Sequence, residues 1–142
     1  AGAGAGPINH TLNAETAGAL ARLDEITRRL RRECPWDREQ DARSIVPHTV
    51  EEASELAEAA ERGDDAGMLD ELGDVLFGVV FLALLLEERG RGDLAAVIER
   101  LNEKLVRRHP HVFGDEHAET IADVRAIWKR VKAQERAAGE GP

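Results

Sequence analysis

Apolar residues recur three and four positions apart along most of this chain, and the strict alternation of a half-buried strand is absent. That period predicts helices throughout and no sheet. The first is expected over residues 14–32, with Leu20, Leu23, Ile26 and Leu30 on one stripe, Asn13 as its N-cap and Pro35 closing the region. A short helix over 38–44 follows, since Asp37 and Gln40 have the spacing of a capping box. Pro47 suits the first turn of a helix running to Arg62, and Gly63 suits its stop. The next spans 66–88. Another spans 94–108, with Asp93 as cap, Leu94, Ile98, Leu101 and Leu105 as its stripe, and Pro110 forcing an exit. The last spans 121–137, capped by Thr120, with Ile121, Val124, Ile127, Trp128 and Val131 on its buried side. The expectation is an all-α bundle of about five helices over residues 14–137, between flexible tails at 1–13 and 138–142.

One segment departs from the amphipathic pattern. Residues 75–86, VLFGVVFLALLL, are apolar on every side. The run is well short of the roughly 20 residues that span a membrane. A helix apolar all round must be covered all round, and a small domain has little with which to cover it. A homo-oligomer is therefore expected, a homodimer or homotetramer, the alternative being a central helix in a monomeric bundle. Gly78 either lets another helix approach closely or is simply tolerated.

Composition narrows the partners. Hydrophobic residues make up 42% of the 142 residues, enough for a core and too many for a disordered chain. Nineteen basic against twenty-eight acidic residues give a net charge of −9, which argues against binding along a nucleic-acid backbone. A single cysteine, Cys34, leaves no intrachain disulfide and fits a reducing, cytoplasmic setting. The Ala/Gly alternation of residues 1–6 lacks the features of a signal peptide.

The acidic residues fall into two pairs. Glu52 and Glu55, with Glu51 beside them, precede Glu71 and Asp74. Residues three apart on a helix share a face, their Cβ atoms roughly 5–6 Å apart. If the two helices pack antiparallel through a short turn, four carboxylates surround one small volume. Their mutual repulsion raises their own pKa values until a cation intervenes. An all-oxygen set favours Mg²⁺, Mn²⁺ or Ca²⁺ over Zn²⁺. The EExxE pattern alone is more often solvated surface. Asp74, directly before the apolar run, is harder to dismiss, because an unpartnered carboxylate there is costly.

Basic and aromatic residues offer less. Lys104 and Arg108 lie four apart with Arg107 adjacent, which suits either an anionic ligand or the end of a helix. Arg125, Lys129 and Lys132 share a later face, by default a solvated one. The pattern assigns Trp36 and Trp128 to the core. His109 and His111 flank a helix-breaking proline, which weakens a metal reading, and Cys34 has no evident catalytic partner. No P-loop is present.

Several motifs in order give a specific resemblance. CPWDREQD at 34–41, VEEASEL at 50–56, DELGDVLF at 70–77, EKLVRRHPHVFGD at 103–115 and IWKRVK at 127–132 resemble the MazG family. The resemblance implies an all-α enzyme, dimeric or larger, that uses Mg²⁺ (with Mn²⁺ as substitute) to hydrolyse nucleoside triphosphates to monophosphate and pyrophosphate. The family's ExxE and ExxD ligands correspond to Glu52 and Glu55, then Glu71 and Asp74. Its substrate residues correspond to Lys104, Arg108, Trp128 and Lys132, with Arg107 and Trp36 as further candidates. Glu55 or Glu51 is then expected to activate water, and Lys104 and Arg108 to assist the reaction. Competing expectations are a narrower pyrophosphatase for dUTP, dCTP or phosphoribosyl-ATP, and a non-catalytic nucleotide-binding oligomer. A di-iron bundle is disfavoured, since its Glu-x-x-His pairs are missing.

Overall fold

The computed structural model describes the backbone of residues 10–139 and the side chains of 13–139. Seven helices and no strand occur among them: α1 (His10–Glu33), α2 (Pro35–Glu39), α3 (Ala42–Glu61), α4 (Asp65–Glu88), α5 (Leu94–Arg108), α6 (Pro110–Phe113) and α7 (Ile121–Ala137). The all-α class is as the periodicity demands. None of these helices is long and apolar enough to cross a membrane.

Several boundaries differ from the sequence expectation. Helix α1 begins at His10, so Asn13 lies within it and is no N-cap. The stretch from 10 to 17 holds no glycine or proline to halt a helix. Residues 1–9 and 140–142, expected to be tails, lie outside the described residues. The short helix over 38–44 is replaced by α2, which starts at Pro35 with Cys34 as N-cap. The capping box forms one element later. Asp41 Oδ1 accepts from the Ser44 N–H at 3.0 Å, and Ser44 Oγ lies 3.0 Å from the Asp41 amide. Helix α3 therefore begins at Ala42 and runs through Pro47, which does not start it. Gly63, at φ 66°, supplies the left-handed stop after α3.

The chain divides into two compact units, one within Asn9–Ala95 and one within Ala96–Pro142. In the first, a three-residue link joins α3 to α4, and positions advancing along one helix meet positions retreating along the other. Ile45 packs with Phe81, Thr49 meets Gly78, and Glu52 approaches Glu71. The two helices are an antiparallel hairpin. Its core is Ile45, Phe81 and Leu85, flanked by Phe77 and Leu82. Helix α1 is tied to α4 by charge: Arg28 Nη2 donates to Glu87 Oε1 at 2.7 Å, and Arg31 Nε to Glu88 Oε2 at 2.9 Å.

Helix α4 is covered along its C-terminal half and open before it. Val80, Phe81, Ala83, Leu84 and Leu85 are buried, whereas Leu72, Leu76 and Val79 remain exposed.

In the second unit, α7 carries a capping box between Thr120 and Asp123. Its Ile127 and Val131 are buried, but Ile121 and Trp128 are exposed, against the expectation of one continuous buried side. Ile121 is the first helical residue, where the stripe runs past the end of its cover.

Candidate metal centre

The α3–α4 hairpin gathers the acidic residues because their spacing puts each pair on one helix face and the antiparallel crossing turns those faces together. Ligand oxygens from Glu52, Glu55 and Glu71 all lie within 4.8 Å of one another. Asp74 is exposed and stands beside the trio, lining a small recess with Glu52, Trp36, His48, Phe77 and Gly78. Glu51 is exposed and outside the group.

The crossing is tight at this level. Gly78 lacks the Cβ that would collide with Thr49, so the glycine serves close approach, the first of the two roles open to it. Thr49 Oγ1 donates to the Ile45 carbonyl at 3.0 Å, which locks its rotamer against the crossing.

The electrostatics are those of a site prepared for a cation. Glu52 Oε2 and Glu71 Oε2 are buried with no hydrogen-bond partner. Burial, reinforced by the charges of Glu55, Asp74 and Glu52, pushes Glu71 up to about 7. Glu52 is also raised, by burial and then by Glu55 and Asp74, with His48 opposing. His48 Nε2 sits 3.5 Å from Glu52 Oε1. An unpaired buried carboxylate oxygen is unfavourable, and two within one acidic trio are more so. A divalent cation that accepts oxygen ligands satisfies both. Among the described residues, this trio is the only group of three or more ligating side chains suited to a metal ion. His109 and His111 lie with ring centroids 5.5 Å apart and form no such group.

Both tryptophans depart from the core assignment. Trp36 is 52% exposed, with its ring 6.3 Å from that of His48 in an edge-on arrangement. Trp128 is 36% exposed and meets His109 edge-on at 5.6 Å. His109 Nδ1 is 2.6 Å from the Leu105 carbonyl, which fixes the imidazole.

The expected phosphate-binding residues of the second unit have varied settings. Lys104 is half-buried and Lys132 exposed. Arg107 and Arg108 share an anion within the chain: Arg107 Nε donates to Glu135 Oε2 at 2.9 Å, and Arg108 Nη2 to Glu135 Oε1 at 2.9 Å. The Glu135 side chain is only 6% exposed, and the two guanidinium groups pull its pKa down to about 2. Sequence reasoning missed Glu135, although it continues the Ile127–Val131 stripe at a spacing of four. It also missed His48, although its position four residues before Glu52 was a legible signal.

The α3–α4 hairpin lies within a segment that matches a known protein family. Residues 40–113 match the family described as "MazG nucleotide pyrophosphohydrolase domain". The chain is 45% identical over 121 residues to a protein of Escherichia coli K12 named nucleoside triphosphate pyrophosphohydrolase, covering 83% of this chain and 46% of that protein. It is 48% identical over 103 residues to the Thermotoga maritima "Nucleoside triphosphate pyrophosphohydrolase/pyrophosphatase MazG", covering 72% of this chain and 39% of that one. The chain thus spans about half the length of the curated relatives it matches, or less. The fold is similar to the crystal structure of a mazG-related protein from Thermotoga maritima, with a TM-score of 0.68 and 30% identity, covering 80% of this chain and 98% of that one.

Proposed function

Because the chain belongs to the MazG nucleotide pyrophosphohydrolase family, we propose that it hydrolyses nucleoside triphosphates to the monophosphate and pyrophosphate with Mg²⁺ as cofactor. The observation that carries this reading is the convergence of Glu52, Glu55 and Glu71 with two buried, unpartnered oxygens. These three would hold the ion, with Asp74 contributing from beside them, and Mn²⁺ would substitute. When bound, such an ion neutralises phosphate charge and makes a coordinated water more acidic.

The remaining roles belong to the chain's own residues. Water attacks the α-phosphorus, its bond to the bridging oxygen breaks, and pyrophosphate leaves. Glu55, the exposed member of the trio, is the proposed proton acceptor, with Glu51 as its neighbour in reserve. Trp36, exposed at the lip of the recess that Glu52 and Asp74 line, offers a face on which a base can stack. The roles of Lys104, Arg107, Arg108, Trp128 and Lys132 as substrate residues rest on the sequence resemblance alone. The exposed Leu72, Leu76 and Val79 on α4 support a homodimer or homotetramer.

The test is a panel of ribo- and deoxyribonucleoside triphosphates, incubated with Mg²⁺, with pyrophosphate and orthophosphate measured separately. Pyrophosphate is expected as the first product. Orthophosphate as the main product, or Mg²⁺-dependent nucleotide binding without turnover, overturns the reading.

A further inference from the structure

Arg31 joins three elements through one side chain. It leaves α1 near its C-terminal end and donates through Nη1 to the carbonyls of Asp37 and Gln40, at 2.6 and 3.0 Å, with the Arg38 carbonyl 3.2 Å away. Through Nε and Nη2 it holds both carboxylate oxygens of Glu88 on α4, at 2.9 and 3.1 Å. Its guanidinium carbon also lies 5.6 Å from the centre of the Phe81 ring, within cation–π range.

Those three carbonyls are at the C-terminal end of α2. Any helix leaves its last carbonyls without intrahelical partners, and in a helix of five residues they are most of the acceptors present. The Gln40 side chain returns to the Trp36 carbonyl at 2.8 Å. The Gln40 amide donates to the Asp37 carbonyl at 3.3 Å, and Arg31 adds its guanidinium to this end. At the other end the Cys34 amide continues the ladder of α1 by donating to the Leu30 carbonyl at 2.8 Å. Helix α2 is therefore held at its start by the backbone, and at its finish Arg31 is the side chain that ties it to α4.

That hold matters because of what α2 carries. Trp36 and Phe81 both line the recess shared with Glu52 and Asp74. Trp36 is half exposed, and its ring contact within the recess is the edge of His48. With 52% of its surface exposed, the indole depends on the pose of the α2 backbone for its placement. Arg31 links that backbone to α4, the helix that also bears Glu71 and Asp74.

We propose that Arg31 is a positioning residue: its clamp on the end of α2 fixes the Trp36 indole beside the carboxylates, and thereby sets affinity for the ring of the nucleotide. The second half of this statement rests on the hydrolase reading above. Arg31 itself touches no substrate. Its loss acts on binding of the ring and leaves the acidic trio intact. The signature is a rise in KM at unchanged kcat, as expected when an interaction common to ground and transition states is lost.

The test uses the full chain labelled with 5-fluorotryptophan, the Trp36 resonance being assigned by its loss in Trp36→Phe. In Arg31→Met, the Trp36 fluorine resonance is expected to sharpen and move toward the position of the free amino acid, while the Trp128 resonance stays. KM for a nucleoside triphosphate should rise about tenfold, the scale of losing one aromatic–base stack. Glu88→Gln, which loosens the anchor and keeps the arginine, should give smaller changes in the same direction, and it decides the matter if Arg31→Met fails to fold. An unmoved Trp36 resonance overturns the clamp. A moved resonance with unchanged KM, or a fall in kcat alone, overturns its role in affinity. A parent protein without turnover overturns the hydrolase reading instead, and the fluorine spectra still decide the clamp.

Discussion

Gly78 on α4 faces Thr49 on α3 at so short a range that a Cβ built on the glycine would stand 2.2 Å from the threonine hydroxyl oxygen. The same Cβ would lie 3.1 Å from the threonine Cβ and Cγ2, so rotating the hydroxyl away does not make room. The crossing sits one turn from Glu52 on one helix and from Asp74 on the other. Whatever widens it also spreads the carboxylates.

Gly78→Ala sets two effects against each other. Alanine favours the helix by about 0.8–1 kcal/mol over glycine, whereas overpacking a tight contact costs about 1–3 kcal/mol. The net expectation is a loss on the order of 1 kcal/mol in urea unfolding, together with weaker Mg²⁺ affinity by calorimetry. Adding Thr49→Ala should recover much of both. A double variant no better than Gly78→Ala would mean that the contact is not the cause.

Glu71→Gln should separate the two states of the acidic site. Without a cation, the substitution removes a charge crowded by Glu55, Asp74 and Glu52, so the protein in EDTA should melt at the same temperature or higher. With Mg²⁺ the parent should gain thermal stability and the variant should not. Turnover should be lost in the variant with its helical circular dichroism intact. Equal Mg²⁺ stabilisation of the two proteins would remove Glu71 from the site.

The pH dependence of the metal-free protein follows from the same residue. Glu71 titrates at about 7 in the folded chain against an ordinary 4.5. The folded state thus binds this proton more tightly than the unfolded state. Stability from the neutral carboxyl is full below 4.5 and is lost as pH rises through 7. Denaturation midpoints in EDTA should therefore fall in the parent relative to Glu71→Gln as pH increases over that window. A constant gap between the two proteins would contradict the raised pKa.

Glu135 has the opposite sign. Its pKa is held near 2, below the ordinary 4.5, by Arg108 and Arg107. Its contribution is present above 4.5 and is lost as pH falls toward 2. The parent should be more stable than Glu135→Gln at neutral pH, and the difference should shrink under acid. Equal stability of the two at pH 7 would show that the pair of salt bridges adds nothing net.

Much of this molecule was legible before any coordinates. Periodicity alone gave α4, α5 and α7 close to their observed ends, because long amphipathic or apolar runs and a Thr120 cap leave few alternatives. It failed around residues 35–47, where Pro35 and Pro47, and Asp37 and Asp41, offer the same signals in two registers. The chain used Pro35 and Asp41, which leaves Pro47 inside α3. The acidic pairs were legible because a three-residue spacing fixes a shared helix face whatever the surroundings. The exposure of Trp36 was not, since a tryptophan reads as core until its neighbours are known.

The amino-acid order by itself determined that the chain is helical, which carboxylates share a face, and where close helix approach was permitted by a missing side chain. These are local properties, governed by backbone geometry and by residues a few positions apart. Tertiary structure alone decided that Glu52, Glu55 and Glu71 meet while Asp74 stands aside. It also decided that Glu135 lies buried between two arginines, and that Arg31 reaches the end of α2. The first two depend on groups far apart in sequence, whose separation is set by how helices cross; the third spans only six to nine residues but depends on the turn between α1 and α2, and no spacing along the chain encodes either distance.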